Sequence, residues 1–84
     1  MDLSTMSLSG IASVIRMDWK NVNYAAKPYL DAMSTLLTMD DVYGYDSAAS
    51  VVAYLLSNCG SYRGEIARSV KAELKARLKK VYGR

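Results

Sequence analysis

The chain has 84 residues, a formal net charge of +3, one cysteine and no histidine. This length supports one hydrophobic core, and a content of 51% hydrophobic and 23% charged residues argues against disorder. The lack of histidine excludes Cys/His zinc sites, histidine-assisted nucleophiles and imidazole general bases. No apolar run approaches the roughly 18–20 residues that cross a bilayer, and residues 1–7 lack the pattern of a signal peptide, so we expect a cytoplasmic protein.

Charge is distributed unevenly along the sequence. Residues 63–84 contain eight basic and two acidic residues, which gives this segment a charge of +6. Residues 1–62 contain three basic and six acidic residues, which gives −3. We therefore expect a basic C-terminal end and a mildly acidic body. Cys59 is expected to be a small buried hydrophobe near a helix end, because free cysteine is among the most buried residue types. A reactive thiol is not expected, because no histidine is present to activate it.

The N-terminal part predicts one helix after a loose start. Residues 1–6 carry no strong apolar or turn signal, and we expect them to fray. The first helix is predicted over about residues 8–20, with Ser7 as its N-cap and Ser9 as a rival. Trp19 is expected to be a core anchor on the apolar face of this helix.

The middle of the chain predicts a second helix and a short connecting turn. The helix runs from about Tyr24 to Leu37, and Pro28 is expected near the first position of its main part, where the missing N–H is tolerated. Thr38 and Asp41 have the spacing of a capping box, which predicts a single helical turn that ends at Gly44.

Two further helices complete the predicted fold. The third spans about residues 47–58, is capped by Asp46 or Ser47, and is the candidate for the most buried helix. Gly60 is expected to end it in the left-handed conformation. The fourth is predicted to follow Ser61, its N-cap, and to end at Gly83, with an apolar stripe at helical spacing: Ile66, Ala67, Val70, Leu74, Leu78 and Val81.

The predicted fold class is all-α. No strand-like alternation extends over five residues, and the connections have the length that is usual in helical bundles. We therefore predict a single domain over residues 1–84, a compact bundle of four helices plus a short helical turn, with a long amphipathic basic C-terminal helix.

The connecting loop is the first candidate binding surface. Within seven residues it combines two tyrosines and three acids: Asp40, Asp41, Tyr43, Tyr45 and Asp46. Tyrosine is enriched at recognition surfaces because it offers a large, rigid area with a polar tip. The alternative is a local structural role, in which Asp40 and Asp41 lie in a helical first turn, Asp46 caps a helix and one tyrosine folds onto the core.

The basic side of the last helix is the second candidate. Six cationic residues could contact phosphate groups: Arg63, Arg68, Lys71, Lys75, Lys79 and Lys80. The alternative is that any helix with one buried stripe needs a charged exterior, and that basic residues near its C-terminus suit the helix dipole. Glu73 and Arg77 already have the spacing of a favourable ion pair, and no helix-turn-helix pattern is recognisable.

The sequence indicates no catalytic centre. Asp40 and Asp41 are adjacent, so their side chains should point apart, and no serine has a base near it in the sequence. The residue spacing of a calcium loop is missing. We expect no enzyme activity, no cofactor and no metal.

Two blocks of sequence carry a resemblance to a known family. They are residues 18–33 (DWKNVNYAAKPYLDAM) and residues 41–48 (DVYGYDSA), the second continuing to residues 62–67 (YRGEIA). Together they resemble a family of small helical proteins from bacteriophages, prophages and other mobile elements, over most of residues 11–78. The resemblance supplies no catalytic or binding residues. It implies a short, non-enzymatic protein that binds a host or phage component, and small phage proteins of this size include inhibitors of bacterial immunity, anti-CRISPR proteins among them.

These observations lead to two functional hypotheses. The first is an interaction protein that binds a host or phage protein, as an inhibitor or regulator, with contacts in the loop from Asp40 to Asp46 and on the exposed side of the last helix. The second is a nucleic-acid-binding accessory protein that uses the basic helix. Either would act in the bacterial cytoplasm without a membrane contact, and the oligomeric state stays open.

Overall fold

The computed structural model describes residues 2–82 of the chain. In this part, four α-helices and one two-stranded hairpin follow each other along the sequence: α1 (Leu8–Asp18), α2 (Lys27–Met33), β1 (Val42–Tyr43), β2 (Asp46–Ser47), α3 (Ala48–Ser57) and α4 (Glu65–Tyr82). The prediction of a mostly helical protein is confirmed. The predicted helical turn between α2 and α3 is right in part. Thr38 and Asp41 close one hydrogen-bonded turn and make the side-chain bonds of a capping box, but the turn does not continue to Gly44, because residues 42–47 form the antiparallel β1–β2 hairpin.

Helix α1 begins where the sequence predicts. The Ser7 side chain accepts a hydrogen bond from the Gly10 N–H at 3.0 Å, so Ser7 rather than Ser9 is the cap. The N–H groups of Leu8 and Ser9 donate to backbone carbonyls at the end of the α2 segment, at 2.9 and 2.8 Å. The free donors of the helix start are thereby satisfied, and the start of α1 is fixed against the chain that follows α2.

Helix α2 is shorter than predicted. Pro28 lies in its first turn, as expected, but the helix ends at Met33 rather than at Leu37. The hydroxyls of Ser34 and Thr35 donate to backbone carbonyls three residues earlier, at 2.6 and 2.8 Å. Such local bonds compete with regular helix formation, and the chain leaves the helix in tighter turns.

Helix α3 is the central helix that the sequence predicts. Ser47, not Asp46, caps it, accepting a hydrogen bond from the Ser50 N–H at 3.1 Å. The helix packs against α2, α4 and both strands of the hairpin. Its buried residues are small or β-branched apart from one leucine, which allows close approach from several sides: Ala48, Ala49, Val51, Val52 and Leu55.

Helix α4 begins at Glu65, three residues later than a cap at Ser61 predicts. Gly60 does not adopt the left-handed conformation that the sequence suggests, and Gly64 has the positive φ, 117°. The reason is Tyr62, whose side chain is only 2% exposed and stacks on Trp19 with ring centroids 5.1 Å apart. The chain must turn inward to bury this ring before the helix can start.

The buried face of α4 is narrower than its sequence stripe. Ala67, Val70 and Leu74 are buried, whereas Ile66, in the first turn, is exposed. The predicted end of the helix at Gly83 lies outside the described residues.

The start of the chain is ordered rather than frayed over residues 2–6. Leu3–Thr5 form a 3-10 helix, and the Leu3 side chain is buried in the core. The Arg77 guanidinium, on α4, donates to the carbonyl oxygens of Leu3 and Met6 at 2.9 and 2.8 Å. These bonds join positions more than 70 residues apart, which is why local patterns do not reveal them. Met1 lies outside the described residues.

A single core joins all four helices. It contains Trp19, Tyr62 and Cys59, and every buried residue among positions 2–82 is apolar or aromatic. The expectations that Trp19 anchors the core and that Cys59 is a buried hydrophobe are confirmed, and burial raises the pKa of the Cys59 thiol. The radius of gyration, 11.6 Å, is that of one compact domain of this length, for which about 12 Å is expected.

Candidate functional site

The candidate loop is a β-hairpin. Val42 pairs with Ser47 and Tyr43 with Asp46, which leaves Gly44 and Tyr45 as the two loop residues. Gly44 has a φ of 61°, and no residue other than glycine in the described chain has a positive φ. A glycine in this conformation at the first loop position is the arrangement of a type II′ turn, whose twist matches that of the two strands. The glycine therefore fixes the shape of the tip.

Asp41 holds the hairpin in place. Its carboxylate accepts hydrogen bonds from the backbone N–H groups of Leu37 and Thr38, at 2.7 and 3.2 Å, and from the Thr38 hydroxyl at 3.3 Å. Its backbone carbonyl accepts from the N–H of Ala48 at 2.9 Å. The bond from the Leu37 N–H lowers the pKa of Asp41 below its ordinary value, followed in effect by the bond from Thr38. Asp41 thus ties the hairpin to the end of the α2 segment and to the start of α3.

The other residues of the loop face outward. Tyr45 is fully exposed, and Tyr43, Asp40 and Asp46 are also exposed. Neither tyrosine folds onto the core, so that part of the structural alternative is wrong. Val42 and Leu37, on the hairpin and just before it, are 64% and 60% exposed. Of the five candidate residues, one serves local structure and four are available to a partner.

The six candidate cations of the last helix are not equivalent. In a helix with 3.6 residues per turn, Arg68, Lys75 and Lys79 share one side, with Lys71 next to them. Lys80 lies about 100–140° around the helix from Arg68, Lys75 and Lys79, on the side that carries Glu73. Lys71 donates to the backbone carbonyl of Tyr62 at 2.5 Å.

The remaining cation, Arg63, precedes α4, and its Nε makes a long hydrogen bond of 3.5 Å to the Gly60 carbonyl. The candidate cations of α4 are therefore concentrated on one side of the helix and are not spread evenly around it.

Sequence reasoning missed part of the positive surface. It treats residues 1–62 as a mildly acidic body, yet the three basic residues of that segment, Arg16, Lys20 and Lys27, all line one cleft. Arg16 lies on α1, Lys20 in the segment that follows α1, and Lys27 at the start of α2, and the fold brings these parts together. No continuous helix joins these three positions, because α1 ends at Asp18 and α2 begins at Lys27, so only the packing of the two helices reveals the group.

No arrangement typical of a metal site is found within residues 2–82, because no three Cys, Asp or Glu side chains converge there. Asp40 and Asp41 do not form a carboxylate pair, since Asp41 is turned into the backbone bonds described above. Among the described helices, none has the length and apolarity needed to cross a bilayer.

Comparisons with known proteins give no further guide: the chain matches no protein-family model, no curated protein and no solved structure. The likeness to small phage proteins stays a prediction from the two sequence blocks. The function of each candidate surface is therefore inferred from its exposed residues, its charge and its hydrogen bonds.

Proposed function

We propose that this chain is a non-enzymatic interaction protein that binds another protein through the tip of its hairpin. The observation that carries the proposal is the pair of tyrosines, Tyr43 and Tyr45, exposed on a turn of fixed shape that Asp41 anchors to two neighbouring elements. Aromatic side chains with this exposure are typical centres of protein interfaces.

The anchoring of the hairpin favours binding energetically. Ordering a flexible loop at an interface costs free energy, and each immobilised side chain adds about 0.5–1.5 kcal/mol to that cost. The type II′ turn and the Asp41 hydrogen bonds order the backbone before binding. A tyrosine also has few rotatable bonds, so it presents a large contact area at a low entropic cost.

The charge of the hairpin indicates the chemistry of the partner. Asp40 and Asp46 are exposed on either side of the aromatic tip, and Val42 and Leu37 add apolar surface. A complementary surface would have an apolar hollow for a tyrosine ring, with basic residues at its rim. The resemblance to phage and prophage proteins supports a host or phage protein as the partner, and an inhibitor of bacterial immunity of the anti-CRISPR type as the biological role.

Tyr24 provides a matched control for testing this proposal. Both Tyr24 and Tyr45 are more than 90% exposed, but Tyr24 precedes α2 and lies outside the hairpin. Immobilised wild-type protein, Tyr45→Ser and Tyr24→Ser would each be used to capture proteins from a nuclease-treated bacterial lysate, with quantification by mass spectrometry.

We expect at least one protein that wild type and Tyr24→Ser enrich equally and that Tyr45→Ser loses at least ten-fold. Circular dichroism should show the same helical content for all three proteins, because both side chains are on the surface. Equal enrichment by Tyr45→Ser and Tyr24→Ser would contradict the proposal.

A further inference from the structure

One cleft gathers every basic residue of the first 62. This cleft, called cleft A, lies between the end of α1 and the start of α2 and has a volume of about 450 Å³. Its lining combines the apolar residues Trp19, Val22 and Leu30 and the polar Asn21 with three cations, Arg16, Lys20 and Lys27. No carboxylate of the described chain lines it. Cleft A is thus suited to an anionic group.

A second cleft with three cations lies where α4 begins. It is called cleft B, has a volume of about 290 Å³ and is lined by Tyr62, Arg63, Gly64, Ala67, Arg68 and Lys71. Half of these residues are cationic, and again no described acidic residue is among them. The hydrogen bond from Lys71 to the Tyr62 carbonyl places its ammonium at 5.9 Å from the centre of the Tyr62 ring without neutralising its charge.

The two clefts adjoin each other. Trp19 lies in the wall of cleft A and Tyr62 in the wall of cleft B, and these two rings stack with an angle of 17° between their planes. A small crevice in the core shares Trp19 with cleft A and shares Tyr62 and Lys71 with cleft B. Beyond cleft B, Lys75 and Lys79 continue the basic side of α4. Clefts A and B together with Lys75 and Lys79 are called the basic track.

Three acidic residues lie close to this track and do not cancel its charge. Glu65 follows Gly64 of cleft B and lies three residues before Arg68, so the two side chains are neighbours on α4. Asp31 forms an ion pair with Arg16 at 2.5 Å. Asp18 lies near the Tyr62 hydroxyl, which makes no hydrogen bond within the described chain. Against these three carboxylates stand the six cations of the clefts and the two lysines further along α4.

We propose that clefts A and B and the Lys75–Lys79 end of α4 bind the phosphate backbone of a single-stranded nucleic acid. A track of separate cationic positions matches a chain of phosphates, whereas a single small anion would fill one cleft only. Clefts A and B are small concavities of about 450 and 290 Å³, and a flexible single strand can follow such a surface more closely than a stiff duplex can. The aromatic rings beside them are buried in the core, so no base stacks on them, and the binding should be independent of sequence.

The decisive test separates this composite track from the basic helix alone. Binding of a labelled 20-nucleotide single-stranded DNA of mixed sequence would be followed by fluorescence anisotropy between 50 and 300 mM KCl. The variants are Lys27→Gln in cleft A and Arg68→Gln in cleft B. Lys80→Gln, on the side of α4 that carries Glu73, removes the same charge outside the track.

We expect Lys27→Gln and Arg68→Gln each to lower the slope of log Kd against log salt by about 0.7, the contribution of one phosphate contact in a single strand. At 0.1 M salt, this corresponds to roughly five-fold weaker binding for each variant. Lys80→Gln and Tyr45→Ser should bind the DNA as wild type does, so the result does not depend on the function of the hairpin.

Three results would overturn the inference: no binding by wild type at 50 mM KCl, wild-type affinity in Lys27→Gln, or a loss of affinity in Lys80→Gln as large as that in Lys27→Gln. Tighter binding to a duplex of the same sequence would overturn the assignment of a single strand as the ligand.

Discussion

At the scale of single residues, the side chains of the candidate loop have two roles. One anchors the hairpin to the rest of the fold, and the others are exposed to a partner. Asp40, Asp41 and Asp46 look equivalent in the sequence, yet only Asp41 makes side-chain hydrogen bonds among the described residues. Its partners are backbone N–H groups three and four residues earlier, a local arrangement that the spacing of Thr38 and Asp41 already indicates. What the spacing does not reveal is that the chain leaves this turn as a β-hairpin.

The pH dependence of the hairpin should follow from Asp41. Its folded-state pKa is lowered, first by the hydrogen bond from Leu37, below an ordinary value of 3.8. A lowered pKa means that its stabilisation is complete above the unfolded-state pKa and is lost as the pH falls through the folded-state value. In NMR spectra recorded from pH 6 to pH 2, the Leu37 and Thr38 amide signals should stay constant down to about pH 4 and shift below it.

Asp41→Asn is the control for this titration, because its side chain keeps its shape and no longer titrates. The two amide signals of this variant should not move between pH 4 and pH 2. A midpoint for the wild-type Leu37 signal at or above the ordinary aspartate pKa would contradict the role given to Asp41.

At the scale of elements, the helices follow from the sequence and the hairpin does not. Apolar spacing and serine caps are strong signals over ten or more residues, and they locate α1 and α3 to within two residues at each end. A strand of two residues is too short to show alternation, so the hairpin leaves only its glycine as a signal. The start of α4 does not follow from the sequence because it depends on the burial of Tyr62, which is a property of the packed core.

The positive φ that the sequence predicts at Gly60 is found at Gly44 and not at Gly60. Gly44 has a φ of 61°, whereas Gly60 has an ordinary φ and open space around it, with no heavy atom within 4 Å of the place that a Cβ would occupy. A side chain at a left-handed position costs about 1–2 kcal/mol. Gly44→Ala should therefore lower the free energy of unfolding by about that amount, measured by urea denaturation followed by circular dichroism.

Gly60→Ala makes the same chemical change at the position where the sequence alone suggests a left-handed residue. It should be neutral or should stabilise the protein by up to about 1 kcal/mol, because alanine restricts the unfolded chain. A loss of stability in Gly60→Ala as large as that in Gly44→Ala would contradict a positive φ at Gly44 and a negative φ at Gly60.

At the scale of the whole molecule, the fold places an aromatic acidic tip and a basic track on one small core. The hairpin packs on α3, and the track follows the ends of α1 and α2 and the basic side of α4. Local sequence could predict each set of residues on α4 and in the loop. The sequence could not predict cleft A or the bonds from Arg77 to the N-terminal segment, because both join parts of the chain that only the tertiary structure brings together.

The proposed function requires the hairpin to be an ordered part of the folded molecule and not a flexible loop. Backbone 15N relaxation of residues 42–47, compared with that of α3, measures this order. We expect order parameters near the value of about 0.85 that is typical of rigid backbone, with Tyr45 no lower than the ends of the helices. Order parameters below about 0.6 across these six residues would contradict the proposal, because the tyrosines would then not be held in a fixed position for a partner.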